Sequence, residues 1–296
     1  MASPRTILIT GCSDDSLGSA LALALHKAGW RVFASARNPA KLKKSEEAGI
    51  QTVQLDTLSD ESIASCVAKV KQLTGGSLDG LLNNAGAGYN MPLLDVDLAK
   101  ARQLFDLNVW SLITVTRGFL PLLIKSTHGA IVVNNTSGAS LTAGSMPFSG
   151  AYNASKAAAT GLTETLRLEL EPFNIKVINL ITGGVRSTFY NNAPVATLPS
   201  TSLYNIAKEP VEKAMSGADV NGSDPAQWAD GVAKELSKSN PPHWVWKGKF
   251  STIVRIASHL PIGSLDGPMK AMVGLDAVEK KIKEQGGPSK IYFNSA

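Results

Sequence analysis

The stretch Thr6-Ile-Leu-Ile-Thr10-Gly11-Cys12-Ser13-Asp14-Asp15-Ser16-Leu17-Gly18 decides the fold. Residues 6–10 read as a short buried strand. A turn follows and opens into an apolar-periodic segment from Leu17 to Ala28, with Gly29 as its stop. A strand handing over to a helix in this way aims backbone N–H groups and the positive helix end at one point, which suits a pyrophosphate. Gly11 and Gly18 read as places where the backbone approaches that ligand. Ser13, Ser16 and Leu17 share the turn.

The alternation continues outward from there. Strands are expected at 31–36, 51–55, 78–82, 130–133 and 176–181. Helices are expected over 60–73, 98–126 and 152–171. Apolar runs of four to six residues between helices predict an α/β fold, a central parallel sheet flanked by helices on both faces. The second strand ends at Arg37, where a basic side chain suits a ribose 2′-phosphate; its alternative is a solvated strand end. Asp56 ends the third strand and reads either as an acceptor for an adenine amino group or as a helix cap.

Composition bounds the partners. The chain has 296 residues, 44% hydrophobic and 18% charged, the profile of a globular protein with a sizeable core. Its net charge is +5, with no Lys/Arg cluster of the kind that tracks nucleic acid. Cys12 and Cys66 show neither metal spacing nor a disulfide framework, so no metal is expected and a reducing, cytoplasmic setting is. No leader pattern precedes the first strand, and no stretch has the length of an apolar membrane span.

Tyr152-Asn-Ala-Ser-Lys156 carries the chemistry. On a helix, residues four apart lie on one face, one turn apart. A cation beside a phenol favours the phenolate, which makes Tyr152 a proton donor to a carbonyl oxygen gaining charge. Around it stand Asn83-Asn84-Ala85-Gly86 after the fourth strand and Asn108 within an apolar helix, where Asn usually has a specific partner. Ser137, with Ser140 as its competitor, follows the fifth strand. Thr182-Gly183-Gly184-Val185, with Ser187 and Thr188 beyond, follows the sixth. The two glycines there read as permitting approach to a nicotinamide.

Taken together, T-G-x(6)-G, N-N-A-G, Asn108, Ser137, Y-x-x-x-K and the second glycine turn resemble the classical short-chain dehydrogenase/reductase family over about residues 5–190. The resemblance implies a doubly wound Rossmann fold and a catalytic tetrad of Asn108, Ser137, Tyr152 and Lys156. In it Tyr152 is the proton donor and Ser137 orients the carbonyl. Lys156 holds the nicotinamide ribose, and Asn108 completes a proton relay through water. It implies NADPH/NADP held by Gly11, Ser13, Ser16, Leu17, Gly18, Arg37, Asp56, Asn84, Ala85, Gly86, Tyr152, Lys156, Gly183, Val185 and Thr188. Within the family, T-G-C-S, Arg37 and Ile181-Thr-Gly-Gly-Val185 are similar to fungal 1-acyldihydroxyacetone-phosphate reductases and related biosynthetic ketoreductases.

Three departures stand out. Asp15 and Ser16 occupy the middle of the first turn, where the family has glycine, and an acid near a pyrophosphate is unfavourable unless it faces away. Ser137 and Tyr152 are fifteen residues apart, about two more than usual, which an insertion around 141–145 would absorb. Met146-Pro147-Phe148 and Ser149-Gly150 crowd the approach to Tyr152.

The expected organisation is a single domain over 1–296: a Rossmann core at 5–190, a substrate loop or lid at 186–225, and a C-terminal helical extension at 226–296 that helps bind substrate. The lid carries Phe189, Tyr190 and Tyr204, and its Asn/Ser/Pro content predicts little apolar burial and hence mobility. In 243–275, Trp244, Trp246, Phe250, Ile253, Val254, Ile256 and Leu260 lie among Lys247, Lys249 and Arg255. That pattern fits a peripheral contact with an endoplasmic reticulum or lipid droplet membrane, a helix closing the pocket, or a homo-oligomer contact. The expected activity is NADPH-dependent reduction of a hydrophobic ketone, acyl-dihydroxyacetone-phosphate-like or a secondary-metabolite intermediate. The alternative is a dinucleotide-binding scaffold for a non-redox cyclisation or isomerisation.

Overall fold

The computed structural model describes residues 3–189, 197–217 and 222–291. The first half runs β1 (Thr6–Ile9), α1 (Leu17–Lys27), β2 (Arg31–Ala36), α2 (Lys43–Glu47), β3 (Gln51–Gln54), α3 (Asp60–Thr74) and β4 (Gly80–Asn83). The second runs α4 (Leu98–Phe105), α5 (Ser111–Leu123), β5 (Ala130–Asn135), α6 (Gly150–Leu170) and β6 (Ile175–Thr182). Beyond it lie α7 (Lys208–Ser216), α8 (Pro225–Leu236), β7 (Trp244–Lys247), α9 (Ser251–Ala257), α10 (Asp266–Met272) and α11 (Leu275–Glu284).

The strands form one parallel sheet in the order β3-β2-β1-β4-β5-β6-β7. The chain winds from β1 out to β3, returns to β4 beside β1, and winds the other way to β7. The winding reverses between β1 and β4, and the crevice outside the strand ends there is where such sheets bind ligands. Both faces are covered. Ile7, Ile9, Leu21, Leu25, Ile178 and Val232 bury one side under α1 and α8. Leu8, Phe33, Leu81, Val115, Phe119 and Val177 bury the other under α3 and α5. Double coverage is why these strands read as unbroken apolar runs.

Three sequence expectations change. The helix expected over 98–126 is interrupted by a π turn at Asp106–Trp110, where Ser111 N–H reaches back to the Asp106 carbonyl. The 226–296 segment is not only helical. Trp244–Lys247 pairs in parallel with 179–182 and forms the sheet edge, so the sheet reaches well past residue 190. Trp and Val suit a strand, and α8 before it is the crossover helix.

The third change concerns the loop. Residues 197–217 bury Leu198, Ala207, Val211 and Met215 with Phe148, Val273 and Val278 in a core of their own. Ser202 Oγ donates to Asp95 Oδ2 at 2.5 Å and Asn90 Nδ2 to the Met215 carbonyl at 2.8 Å. The premise of little apolar burial fails here, because helix α7 places its apolar residues on one face and α10–α11 return to cover it. Tyr190 lies outside the described residues.

Candidate active site

The carboxyl ends of β1, β4, β5 and β6 meet in one crevice. At its first wall Gly11 has φ +72°, and a Cβ on it would sit 2.9 Å from Ala85 Cα. A Cβ on Gly18 would lie 2.3 Å from the Gly11 carbonyl oxygen. The sequence reading assigned these glycines to ligand approach. The close neighbour is protein: they let the first turn pack on the 84–86 turn.

Ser16 caps α1, accepting from Ser19 N–H at 3.1 Å and donating to the Gly11 carbonyl at 3.0 Å. Ser13 accepts from Ser16 N–H through its carbonyl, and Leu17 packs on the core under α1. Asp15 takes φ +64°, the glycine-like conformation, and its carboxylate meets Lys44 Nζ at 2.6 Å. Asp14 Oδ1 accepts from Lys44 N–H at 3.0 Å. Both acids thus bind Lys44 in the first turn of α2, and α1 has no acidic residue in its first turn. This pairing turns the Asp15 carboxylate toward Lys44.

Arg37 is exposed just past β2, and its carbonyl accepts from Gln54 Nε2. Asp56 Oδ1 accepts from Leu58 N–H at 3.0 Å. It does not cap α3; Ser59 does, through Ser62 N–H.

Asn84 and Ala85 each donate a backbone N–H to Thr10 Oγ1 at 2.9 Å, and Asn84 Nδ2 reaches the Thr10 and Gly11 carbonyls. A Cβ on Gly86 would sit 3.1 Å from Asn108 Oδ1 and 3.6 Å from Lys156 Nζ. Asn108 is buried in the π turn. Its amide accepts from Ala87 N–H and donates to the Ala87 carbonyl, both at 2.9 Å, and donates to Ser155 Oγ at 3.0 Å. The side chain is therefore a clamp between the 84–87 turn and α6, so any relay role falls to its backbone.

Tyr152 and Lys156 lie one turn apart on α6, as the spacing predicts. Lys156 is buried; its Nζ donates to the Asn135 carbonyl at 3.0 Å and stands 5.9 Å from the Tyr152 ring centre. Burial pushes the lysine down to about 8. Ser155 Oγ donates to the Tyr152 carbonyl, which couples the Asn108 clamp to the tyrosine. The Phe189 ring meets Tyr152 edge-on at 5.7 Å. Tyr204 instead packs on Phe148 at 5.0 Å, in the separate core of 197–217.

Ser137 caps a 3-10 turn at Gly138–Ser140 and accepts from Ala139 N–H at 3.1 Å, leaving its own hydrogen to donate. Ser140 Oγ is buried with no hydrogen-bond partner among the described residues. The extra length before Tyr152 forms a second 3-10 turn, Thr142–Gly144, folded so tightly on Gly138 that a Cβ on Gly144 would sit 2.1 Å from its carbonyl oxygen. Val254 of α9 packs on both glycines.

At the fourth wall the sequence reading again assigned glycine to ligand approach. A Cβ on Gly183 would meet the Lys249 carbonyl oxygen at 2.2 Å, so the space belongs to the β7–α9 turn. Val185 is buried, and Thr188 lies 3.5 Å from the Asp15 carbonyl, across the crevice from its own turn.

Sequence reading missed Asn135. It accepts Lys156 on its carbonyl and Thr182 Oγ1 on its side-chain oxygen at 2.6 Å, and it donates to Asn84 Oδ1 at 2.9 Å. The signal was present: two asparagines close an otherwise apolar buried strand, where Asn is disfavoured.

The crevice fits a nicotinamide dinucleotide. The first turn of α1 holds no acidic residue, Arg37 stands exposed at the β2 end, and Lys156 has ammonium hydrogens beyond the one given to Asn135. Fold and site define a Rossmann-type oxidoreductase. The sequence model of the short chain dehydrogenase family matches residues 5–197, and the chain belongs to that family. It is 43% identical to a short-chain dehydrogenase/reductase of Pestalotiopsis microspora, over 96% of this chain and 99% of the relative. It is 32% identical to the NADPH-dependent 1-acyldihydroxyacetone phosphate reductase of Schizosaccharomyces pombe, over 93% and 96%. A short-chain dehydrogenase structure from Streptomyces avermitilis superposes with a TM-score of 0.74 at 26% identity, over 95% of this chain and 98% of the other.

Proposed function

We propose that this oxidoreductase uses NADPH to reduce the ketone of a hydrophobic substrate to a secondary alcohol. One observation carries the reading: a buried Lys156 sits one turn from Tyr152, and the tyrosine ring lies against Phe189 at the strand ends. The bound dinucleotide would supply the hydride. Arg37 would take the 2′-phosphate, the α1 N-terminus the pyrophosphate, and Asp56 the adenine end. Lys156 would hold the nicotinamide ribose.

Ser137 would donate to the carbonyl oxygen and orient it. Tyr152 would give that oxygen its proton, and the Lys156 ammonium favours the phenolate left behind. Reprotonation would run through the Lys156 side and the Asn108 backbone. Phe189, against the Tyr152 ring, would supply apolar contact, which favours a bulky hydrophobic ketone. The relative from Schizosaccharomyces pombe supports NADPH and an acyl-dihydroxyacetone-phosphate-like substrate; a secondary-metabolite intermediate fits the same pocket chemistry.

The membrane contact is also proposed. Phe250, Ile253, Ile256, Leu260 and Ile262 are exposed, with Lys249, Arg255 and Lys270 near them. Among the described residues no helix is long and apolar enough to cross a membrane, so such a contact would be peripheral. NADPH oxidation measured across a panel of hydrophobic ketones tests the activity. NADPH binding without oxidation on any ketone would instead support the scaffold role.

A further inference from the structure

Four strand ends line the crevice, and a chain of side-chain hydrogen bonds ties them together. Thr182 Oγ1, at the end of β6, donates to Asn135 Oδ1 at 2.6 Å. Asn135 Nδ2, at the end of β5, donates to Asn84 Oδ1 at 2.9 Å. Asn84 Nδ2, after β4, donates to the Thr10 carbonyl at 2.9 Å and the Gly11 carbonyl at 3.2 Å, after β1. The chain of donors is unbroken, and each link uses a side chain that has another option in water. The Asn135 carbonyl also accepts the Lys156 ammonium at 3.0 Å.

The direction of these bonds fixes the chemistry of the groups at the crevice floor. Thr182 spends its only hydrogen on Asn135, so its hydroxyl can offer nothing but an acceptor to a ligand. Asn135 spends its side-chain oxygen on Thr182 and one amide hydrogen on Asn84. Its backbone carbonyl is held for Lys156 by the β5–β6 pairing, and the two anchored ends of the side chain add to that hold. An acceptor held at hydrogen-bond distance favours the charged lysine in a site where burial opposes it.

We infer that Asn135 is a positioning residue for this enzyme. Acting with Thr182, it holds Lys156 charged and in place, and it keeps the pyrophosphate wall and the nicotinamide wall in register. The inference rests on the reductase reading. It adds a role for two side chains that act on Lys156 through the Asn135 backbone carbonyl and need not touch the reacting carbon.

The test compares wild type, Asn135→Leu, Thr182→Val, Thr182→Ser and the double variant Asn135→Leu/Thr182→Val. NADPH binding and kcat/KM are measured across pH 6–10, with folding checked by circular dichroism and Tm. Asn135→Leu removes both side-chain bonds at similar volume. NADPH affinity should fall about fivefold to tenfold, the scale of one or two hydrogen bonds. The alkaline limb should move to lower pH, because a displaced acceptor leaves the ammonium less favoured. Thr182→Val should shift the limb the same way by less, and Thr182→Ser, which keeps the hydroxyl, should restore it. The double variant should be no worse than Asn135→Leu, because both substitutions remove the same bond.

A folded Asn135→Leu with the wild-type limb and affinity overturns the inference. If Asn135→Leu does not fold, Thr182→Val against Thr182→Ser decides: a limb common to both overturns it. Wild type that binds no NADPH at any pH overturns the reductase reading, and the inference with it.

Discussion

Lys156 is the side chain on which most of the site's energetics turn. It is buried, and its ammonium is pushed down to about 8. Its folded value lies below its unfolded one, so between about pH 8 and 10.4 the unfolded chain binds more protons and stability rises with pH. Below that window the buried charge opposes folding by about 3 kcal/mol. Lys156→Met is therefore expected to raise Tm at pH 7 while abolishing reduction, measured by thermal melts and NADPH oxidation. The same value places the fall of wild-type kcat/KM near pH 8 in the free enzyme, on the alkaline side. Tyr152→Phe keeps the ring contact with Phe189 and removes the proton donor, so NADPH should still bind while kcat falls by about 10² or more. Arg37→Ala should cost NADPH roughly one to two decades in affinity, the scale of a charge-assisted bond, and leave NADH nearly unchanged in parallel titrations.

Among the elements, the π turn at 106–110 shows how local irregularity serves the site. The wider turn carries Asn108 at a depth where its amide reaches both the Ala87 backbone and Ser155. Asn108→Leu leaves those buried groups without a partner and should destabilise the fold by about 2–3 kcal/mol in urea melts. The segment 197–217 behaves as packed structure. Val211 and Met215 face a core shared with Val273 and Val278. Hydrogen exchange should therefore show amides of 208–216 protected without any ligand, to an extent that NADPH changes little. Rapid exchange there in the free protein would restore the lid that the composition suggested.

At the scale of the whole molecule, the active-site crevice and the exposed face of α9 share one wall. Val254 packs inward on Gly138 and Gly144, beside Ser137, while Ile253 and Ile256 point outward with 57% and 63% of their surface exposed. Of the basic residues over 243–275, Lys247 and Lys270 pair with Glu235 and Glu279, while Lys249 and Arg255 lie over the rings of Phe250 and Trp246. A basic, apolar face favours an anionic surface. The protein is expected to float with phosphatidylserine vesicles at low salt and much less with phosphatidylcholine ones, and Ile256→Glu should abolish flotation while NADPH binding is unchanged. A stable dimer in light scattering that Ile256→Glu dissolves, with no flotation, would assign this face to a second copy instead.

Much was legible in the residues alone, for a physical reason. Strands buried on both faces must be apolar throughout, and a Tyr–Lys pair four apart can only share a helix face, so β1–β6, α1 and the Tyr152–Lys156 pair follow from local pattern. The family's order of motifs then set which residues face the crevice. What local pattern does not carry is the partner of each polar group. Only the tertiary structure pairs Asp15 with Lys44, giving the acid in the first turn a cationic partner. It also assigns the room at Gly18 and Gly183 to protein backbone. It gives Trp244–Lys247 to the sheet edge, because only Val245 of that strand is buried, so it lacks the apolar run of an inner strand, and β6 supplies its hydrogen bonds. Asn135 joins Thr182, Asn84 and Lys156 only because parallel strands bring residues distant in sequence to one edge, and no spacing along the chain encodes that meeting.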